Sequence, residues 1–282
     1  MSVGLVLEGG GMRGIYTAGV LEYFLEKEID IPYVIAVSAG ACNGTGYVAK
    51  QKKRNFAILT KYINDPRYIS LRNFIKKGCI FDFDFIIDEL GNKLEPLNIE
   101  DFFSSNTRFI TGATDIVTAK PVYCEKEEYS ENFNFLRASC SQPFLSKIVD
   151  YKGKKLLDGG IVDPIPIRRS IEDGNEKNII VLTRHKGYQK KREYSHRLCK
   201  YLYGEYPELV ELLMTRDKKY NETLEFCYQL QAEGKAVIIQ PEEKLLVNRL
   251  ERNREKLVDT YRLGIHDAKK NVRRMREFLS DD

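Results

Sequence analysis

Ser38 stands where an apolar run, Ile31 to Val37, gives way to the small residues Ala39, Gly40, Ala41, Gly44 and Gly46. A strand that turns sharply into a helix with serine at the corner presents a nucleophile in serine acyl hydrolases. Small neighbours let the turn close and the helix lie near the strand. The consensus is Gly-x-Ser-x-Gly; Ala36-Val37-Ser38-Ala39-Gly40 gives Ala-x-Ser-x-Gly. Taken alone, those five residues fit an ordinary strand-to-helix turn more readily than a catalytic one.

A nucleophilic serine needs amides for the developing oxyanion, a base for its proton and room for the acyl chain. Glu8-Gly9-Gly10-Gly11-Met12-Arg13-Gly14 lies between an apolar strand, Val3 to Leu7, and a helical pattern carrying Tyr16, Val20, Tyr23, Phe24 and Leu25. Backbone N–H groups in such a loop are sterically open and lie at the positive end of the helix dipole. Gly10, Gly11 and Met12 are the candidate donors, and Arg13 either adds charge or pins the loop to an acid. Gly9-x-Gly11-x-x-Gly14 also spells a dinucleotide fingerprint. That fold wants an acid at the end of the next strand, where this chain has Ser38.

Two side chains are candidates for the base. His185, just beyond the strand Asn178 to Thr183, is the histidine placed for a Ser-His-Asp triad; His196 and His266 sit among charged residues and read as solvated. Asp158, ending the strand Lys155-Leu156-Leu157 and followed by Gly159 and Gly160, is the alternative. An ordinary aspartate, with a pKa near ~3.9, is too acidic for a base at neutral pH, but burial raises it. Asp-Gly is equally a hairpin-turn signal, and the tripeptide alone favours the turn.

Around these residues the pattern predicts further strands at Arg108 to Thr111, Pro121 to Cys124 and Lys235 to Gln240, the last with Ala236-Val237-Ile238-Ile239. Helices are expected over Phe135 to Ser139, from Asp163-Pro164-Ile165-Pro166 to Gly174, across the polar stretch Tyr194 to Gly234, and over Asn248 to Leu279. Residues 50–105, rich in aromatics and including Phe81-Asp82-Phe83-Asp84-Phe85, form an excursion over the sheet. It is either a pocket rim or a set of helices anchored to the core.

Gly9-Gly10-Gly11-Met12-Arg13-Gly14, Ala36-Val37-Ser38-Ala39-Gly40 and Asp158-Gly159-Gly160, in this order, resemble the motifs of the patatin-like phospholipases. Ala113-Thr114-Asp115, Arg137-Ala138-Ser139 through Pro143, and Asp158 through Pro166 are similar as well. The resemblance covers about residues 3–183, and the remainder only in outline. It implies a three-layer α/β/α fold with a mainly parallel central sheet plus a helical C-terminal region. It also implies a Ser38–Asp158 dyad without catalytic histidine, Gly10 and Gly11 with Met12 as oxyanion amides, and Arg13 at the basic motif position. Gly9, Gly14, Gly40, Gly159 and Gly160 would support the motifs. The implied substrates are phospholipids or other acyl-ester lipids, cleaved through an acyl-enzyme with no metal or cofactor. Two positions depart from the family pattern: Ala36 replaces the first elbow glycine, and Asp158-Gly159-Gly160 replaces Asp-Gly-Ala.

The other classes weighed are a Ser-His-Asp carboxylesterase using His185 and a non-catalytic lipid or nucleotide binder. Across the 282 residues, 43% hydrophobic and 30% charged content is that of a globular protein. A net charge of +4 with no nucleic-acid-binding signature does not point to nucleic acid. Six cysteines without a Cys-x-x-Cys pair suggest neither zinc nor a disulfide framework. With no secretory signal and no apolar stretch near the ~20 residues of a membrane span, the expected location is the cytoplasm. No linker or repeat interrupts the chain, so residues 1–282 read as one domain, with a catalytic core of about 3–183 and a helical part of about 184–282. The C-terminal helix carries ten Lys/Arg against four Asp/Glu over positions 249–276. That charge would suit transient contact with an anionic membrane surface, though interspersed acids favour a solvated face.

Overall fold

The computed structural model describes residues 3–129 and 133–280. Its strands are β1 Val3–Leu7, β2 Tyr33–Val37, β3 Arg108–Asp115, β4 Pro121–Glu125, β5 Val149–Tyr151, β6 Lys154–Asp158, β7 Lys177–Val181 and β8 Ala236–Ile239. The helices are α1 Gly14–Glu26, α2 Ala39–Val48, α3 Arg54–Thr60, α4 Leu71–Lys77, α5 Ile99–Ser104, α6 Asn134–Cys140, α7 Ile167–Glu172, α8 His196–Tyr203, α9 Pro207–Ala232 and α10 Arg254–Ser280, with a π-helical segment at Asp84–Leu94.

One sheet runs β5-β6-β3-β2-β1-β7-β8, with β4 also on β3. The stretch β3-β2-β1-β7-β8 is parallel, whereas β4, β5 and β6 are antiparallel. Successive strand residues point to opposite faces. Leu5, Leu7, Val34 and Ala36 therefore pack with α1, α2 and α10, while Val6, Tyr33 and Ile35 pack with α7 and α9. The result is a three-layer α/β/α architecture with a helical C-terminal region.

The C-terminal residues are built into this frame. β8 extends the sheet beside β7. α10 crosses α1 where Gly19 and Gly264 face each other's helices. A Cβ on Gly19 would lie 2.1 Å from the Tyr261 carbonyl oxygen, and one on Gly264 2.2 Å from that of Tyr16. A buried hydrogen bond of 2.8 Å from the Tyr16 hydroxyl to Asp267 fixes the same crossing.

Several boundaries differ from expectation. The helix after Asp163 begins only at Ile167, because a residue preceding proline is disfavoured in the helical region and Ile165 precedes Pro166. α10 begins at Arg254 rather than at Asn248, which leaves residues 248–253 as a strap over the glycine-rich loop. β5, with only Val149–Tyr151, is too short to show a period. The hairpin turn falls between β5 and β6, so Asp158 closes a strand rather than opening a turn.

Candidate active site

β2 is wholly buried up to Val37, and the chain then reverses at Ser38, which has φ 54° and ψ −129°. A positive φ on a non-glycine residue is strained and persists only where its surroundings enforce it. Two contacts enforce it here. The Ser38 amide donates to Ser139 Oγ at 2.8 Å, and that hydroxyl donates to the Gly112 carbonyl at 2.7 Å, tying the corner to β3. On the other side a Cβ at Gly40 would lie 2.6 Å from the Leu7 carbonyl oxygen, so only glycine lets α2 start so close to β1. Ala36 sits fully buried in β2 beside Leu7 and Thr111, within regular parallel pairing, so its methyl leaves the elbow intact.

The sheet brings Asp158 to this corner. At Ile110 to Gly112, β3 pairs with β2 along one edge and with β4 along the other; β4 continues to Thr114. β6 therefore takes the edge that β2 vacates, pairing Asp158 with Ala113 directly past Val37. The approach is close: a Cβ on Gly159 would lie 2.2 Å from the Gly112 carbonyl oxygen. Ser38 Oγ donates to Asp158 Oδ2 at 2.7 Å, and the Gly160 amide donates to Oδ1 at 2.7 Å. Both residues of the pair are buried. Burial pushes the Asp158 carboxyl above its ordinary value, opposed by the Ser38 hydroxyl, the charges of Arg216 and Arg249, and the Gly160 amide.

The glycine-rich loop passes over the corner, where a Cβ on Gly9 would lie 3.1 Å from Ser38 Cβ. Among the described residues, no protein acceptor takes the Gly10 or Gly11 amide. The Met12 amide is already committed, donating to the Arg249 carbonyl at 3.1 Å; this corrects the expectation that it is free for an oxyanion. Gly14, at the start of α1, has Ala39 directly against it. Arg13 is buried but does not pin the loop to an acid: its Nε has no hydrogen-bond partner, and the neighbouring Glu8 is taken by Thr183 and Tyr220.

His185 lines a separate cleft with Lys244 and Leu246 and stacks edge-on against Tyr188. It makes no contact with Ser38 or Asp158, which removes the structural basis for a triad. His196 and His266 are surface residues.

On one side Ser38 opens to an apolar cleft lined among others by Met12, Ile58, Leu59, Phe83, Ile86 and Leu136. Both expectations for residues 50–105 are realised there, since Leu59 and Phe83 face the cleft while Ile63 and Phe85 are packed in a buried cluster. A buried serine–carboxylate pair, free loop amides and an apolar cleft are together equipped to attack an acyl ester.

The family model for patatin-like phospholipases matches residues 5–170, spanning Ser38 and Asp158. The chain belongs to the patatin-like phospholipase family. A second model, a domain of unknown function, matches residues 206–280. This patatin-like chain is 27% identical over 192 residues to the uncharacterized protein YjjU of Escherichia coli, covering 64% of the chain and 52% of the relative. It is 28% identical over 191 residues to the lysophospholipase NTE1 of Debaryomyces hansenii, covering 64% of the chain but 12% of that relative. The chain thus spans about half of the first relative and a small part of the second. Among solved structures, VipD from Legionella pneumophila matches 95% of the chain and 66% of its own, at 12% identity and a TM-score of 0.48.

Sequence reasoning did not assign a role to four side chains of this patatin-like site. Ser139 holds the Ser38 amide. Arg216, on α9, donates to the Gly160 carbonyl through Nε at 2.9 Å and Nη2 at 2.8 Å. Lys190 and Arg249 line the same cavity as Asp158. The last three come from stretches whose only local signal is polarity.

Proposed function

We propose that the chain is a lipid acyl hydrolase, a phospholipase or esterase, using Ser38 and Asp158 as a dyad, with its C-terminal part integral to the site. The Ser38 Oγ to Asp158 Oδ2 hydrogen bond of 2.7 Å carries this proposal. As Ser38 Oγ attacks the ester carbonyl carbon, its proton passes to Asp158. The carbonyl oxygen becomes an oxyanion facing the Gly10 and Gly11 amides. Collapse expels the alcohol or lysolipid, which takes the proton back from Asp158 and leaves an acyl-serine. Asp158 then accepts a proton from water, whose oxygen attacks the acyl carbon, and it returns that proton to Ser38 Oγ as the acyl–Oγ bond breaks and the fatty acid departs. The apolar cleft receives the acyl chain.

Access to lipid is proposed at α4, where Leu71 and Ile75 are 74% and 84% exposed and Arg72, Lys76 and Lys77 flank them. α10 is less suited, because its apolar residues Leu257, Tyr261, Ala268 and Met275 are buried. No helix among the described residues is long and apolar enough to cross a membrane.

A fluorophosphonate probe and lysophospholipid hydrolysis test the proposal together. Ser38 should be labelled, and Ser38→Ala should abolish both labelling and fatty-acid release, while His185→Ala should retain them. Loss of activity in His185→Ala equal to that in Ser38→Ala would restore the triad. An unreactive Ser38 in folded protein would favour a non-catalytic lipid binder.

A further inference from the structure

Ser38 lies between two cavities of opposite character. Beyond the apolar cleft, a second cavity reaches the dyad from the side of Asp158 and Gly10. Arg13, Arg184, Lys190, Arg216 and Arg249 line it with the carboxylates of Glu8 and Asp158, and a third carboxylate, Glu193, is ion-paired to three of those cations. Five cations against three anions leave an excess of two positive charges.

The carboxylates are already occupied. Glu193 is shared by Lys190 at 2.9 Å, Arg216 at 3.1 Å and Arg249 at 2.8 Å. Glu8 accepts from the Tyr220 hydroxyl at 2.8 Å and from the amide and hydroxyl of Thr183. Asp158 holds Ser38 and Gly160.

Two guanidinium groups are left over. Arg13 is only 7% exposed, and its Nε is buried with no acceptor. The Arg184 guanidinium rests on the Tyr188 ring, 4.2 Å from its centroid, with no carboxylate in contact among the described residues. A buried charge without a hydrogen-bond partner is costly. That cost shows in Arg13, whose pKa is pushed down to about 10 by burial and by the neighbouring Arg184 and Arg249. Lys190 is likewise pushed down to about 8 by burial and by Arg216.

We propose that this cavity is a phosphate-binding subsite, and that the esters cleaved at Ser38 carry a phosphomonoester at the end opposite the acyl chain. A phosphomonoester brings roughly −1.5 to −2 charges at pH 7 and three strong acceptor oxygens, matching the excess of two cations and the unused donors of Arg13. Guanidinium groups suit it because their forked donors bind phosphate in pairs. A choline-type headgroup fits poorly, since it offers a single negative charge and a cation of its own. The substrate half of the proposal rests on the hydrolase function above; the binding half does not.

The test uses full-length Ser38→Ala protein, which binds without turnover, titrated by calorimetry and thermal shift. The ligands are inorganic phosphate, a short-chain lysophosphatidate below its micellar concentration, and the matching monoacylglycerol. Inorganic phosphate should bind one-to-one and raise the melting temperature, and lysophosphatidate should bind at least tenfold tighter than monoacylglycerol. Adding Arg184→Gln should weaken both phosphate-bearing ligands tenfold or more, and Arg184→Lys should recover part of the loss. Adding Arg13→Gln should raise the melting temperature without phosphate and remove the further rise with it, a signature that loss of folding cannot produce. Phosphate binding without preference for lysophosphatidate would assign the site to the free ion and overturn the headgroup half. No phosphate binding to folded protein would overturn the whole. Failure of the hydrolase function is read separately, from fluorophosphonate labelling of wild-type protein.

Discussion

The Met12 amide donates to the Arg249 carbonyl at 3.1 Å, so the glycine-rich loop beside Ser38 is fastened by a strap from the far end of the chain. Gly11, at φ 57°, lies against the same strap, and a Cβ there would come 2.7 Å from the Arg249 carbonyl oxygen. Gly11→Ala must therefore strain the backbone and lift the loop from the strap together. Misplacing one oxyanion donor should lower kcat by about 10²–10³, with a drop in melting temperature. Unchanged kcat in Gly11→Ala would remove the Gly11 amide from the mechanism.

Asp158→Asn should separate activity from stability. Loss of the base should slow hydrolysis by about 10²–10⁴. Burial raises the Asp158 pKa in the folded state above its unfolded value, so the folded protein binds this proton more tightly. Its contribution favours folding at pH below the unfolded value and is lost as pH rises through the folded one. At neutral pH the ionised carboxylate is thus a burden on stability, and the neutral amide should raise the melting temperature while activity collapses. A fall in melting temperature at pH 7 would mean that the contacts to Ser38 and Gly160 outweigh the buried charge.

The same shift fixes the pH profile. The proposed dyad needs Asp158 ionised, so kcat/KM should fall on the acid side with an inflection above the ~3.9 of an ordinary aspartate. No limb should depend on histidine, and His185→Ala should leave the inflection in place. An inflection that moves in His185→Ala would return the proton to an imidazole.

What the sequence made legible follows from backbone demands that only certain residues meet. Gly40 and Gly159 occupy places where a Cβ would strike a carbonyl oxygen, so these glycines mark a crowded corner even in one dimension. The five-residue parallel strands β1 and β2 were readable as short apolar runs, and β7 from the β-branched stretch Ile179 to Val181 that follows Lys177 and Asn178. Of the two roles open to Arg13, the pin to an acid fails because Glu8, close by in sequence, is taken up by Thr183 and Tyr220 from distant segments. Lys190, Arg216 and Arg249 carry no periodic or motif signal. They acquire a role only when a loop, α9 and the strap before α10 converge on one cavity.

Ser38, the proposed nucleophile, holds a backbone conformation that is strained for a residue with a side chain. Glycine adopts the φ 54° corner without the Cβ penalty, whereas alanine keeps it. Both substitutions delete the hydroxyl and its bond to Asp158, so their difference isolates the backbone. Ser38→Gly should be more stable than Ser38→Ala by about 1 kcal/mol, measured by chemical denaturation. Equal stability would mean that Ser139 and the start of α2 hold the corner without cost.

On α4, Leu71, Phe74 and Ile75 remain in water at 74%, 42% and 84% exposure, beside Arg72, Lys76 and Lys77. The helix follows Tyr68, which lines the apolar cleft. An apolar face edged with basic side chains suits an anionic lipid surface, where each cation near the headgroups gains about 1 kcal/mol. Burying one large aliphatic side chain is worth about 1.5–3 kcal/mol, so Ile75→Asp should weaken vesicle binding about tenfold or more in sedimentation assays. The ratio of turnover on vesicle-embedded to monomeric ester should fall with it. Vesicle binding that survives Ile75→Asp but is lost when the Lys and Arg residues of α10 are neutralised would move the contact to the basic C-terminal helix.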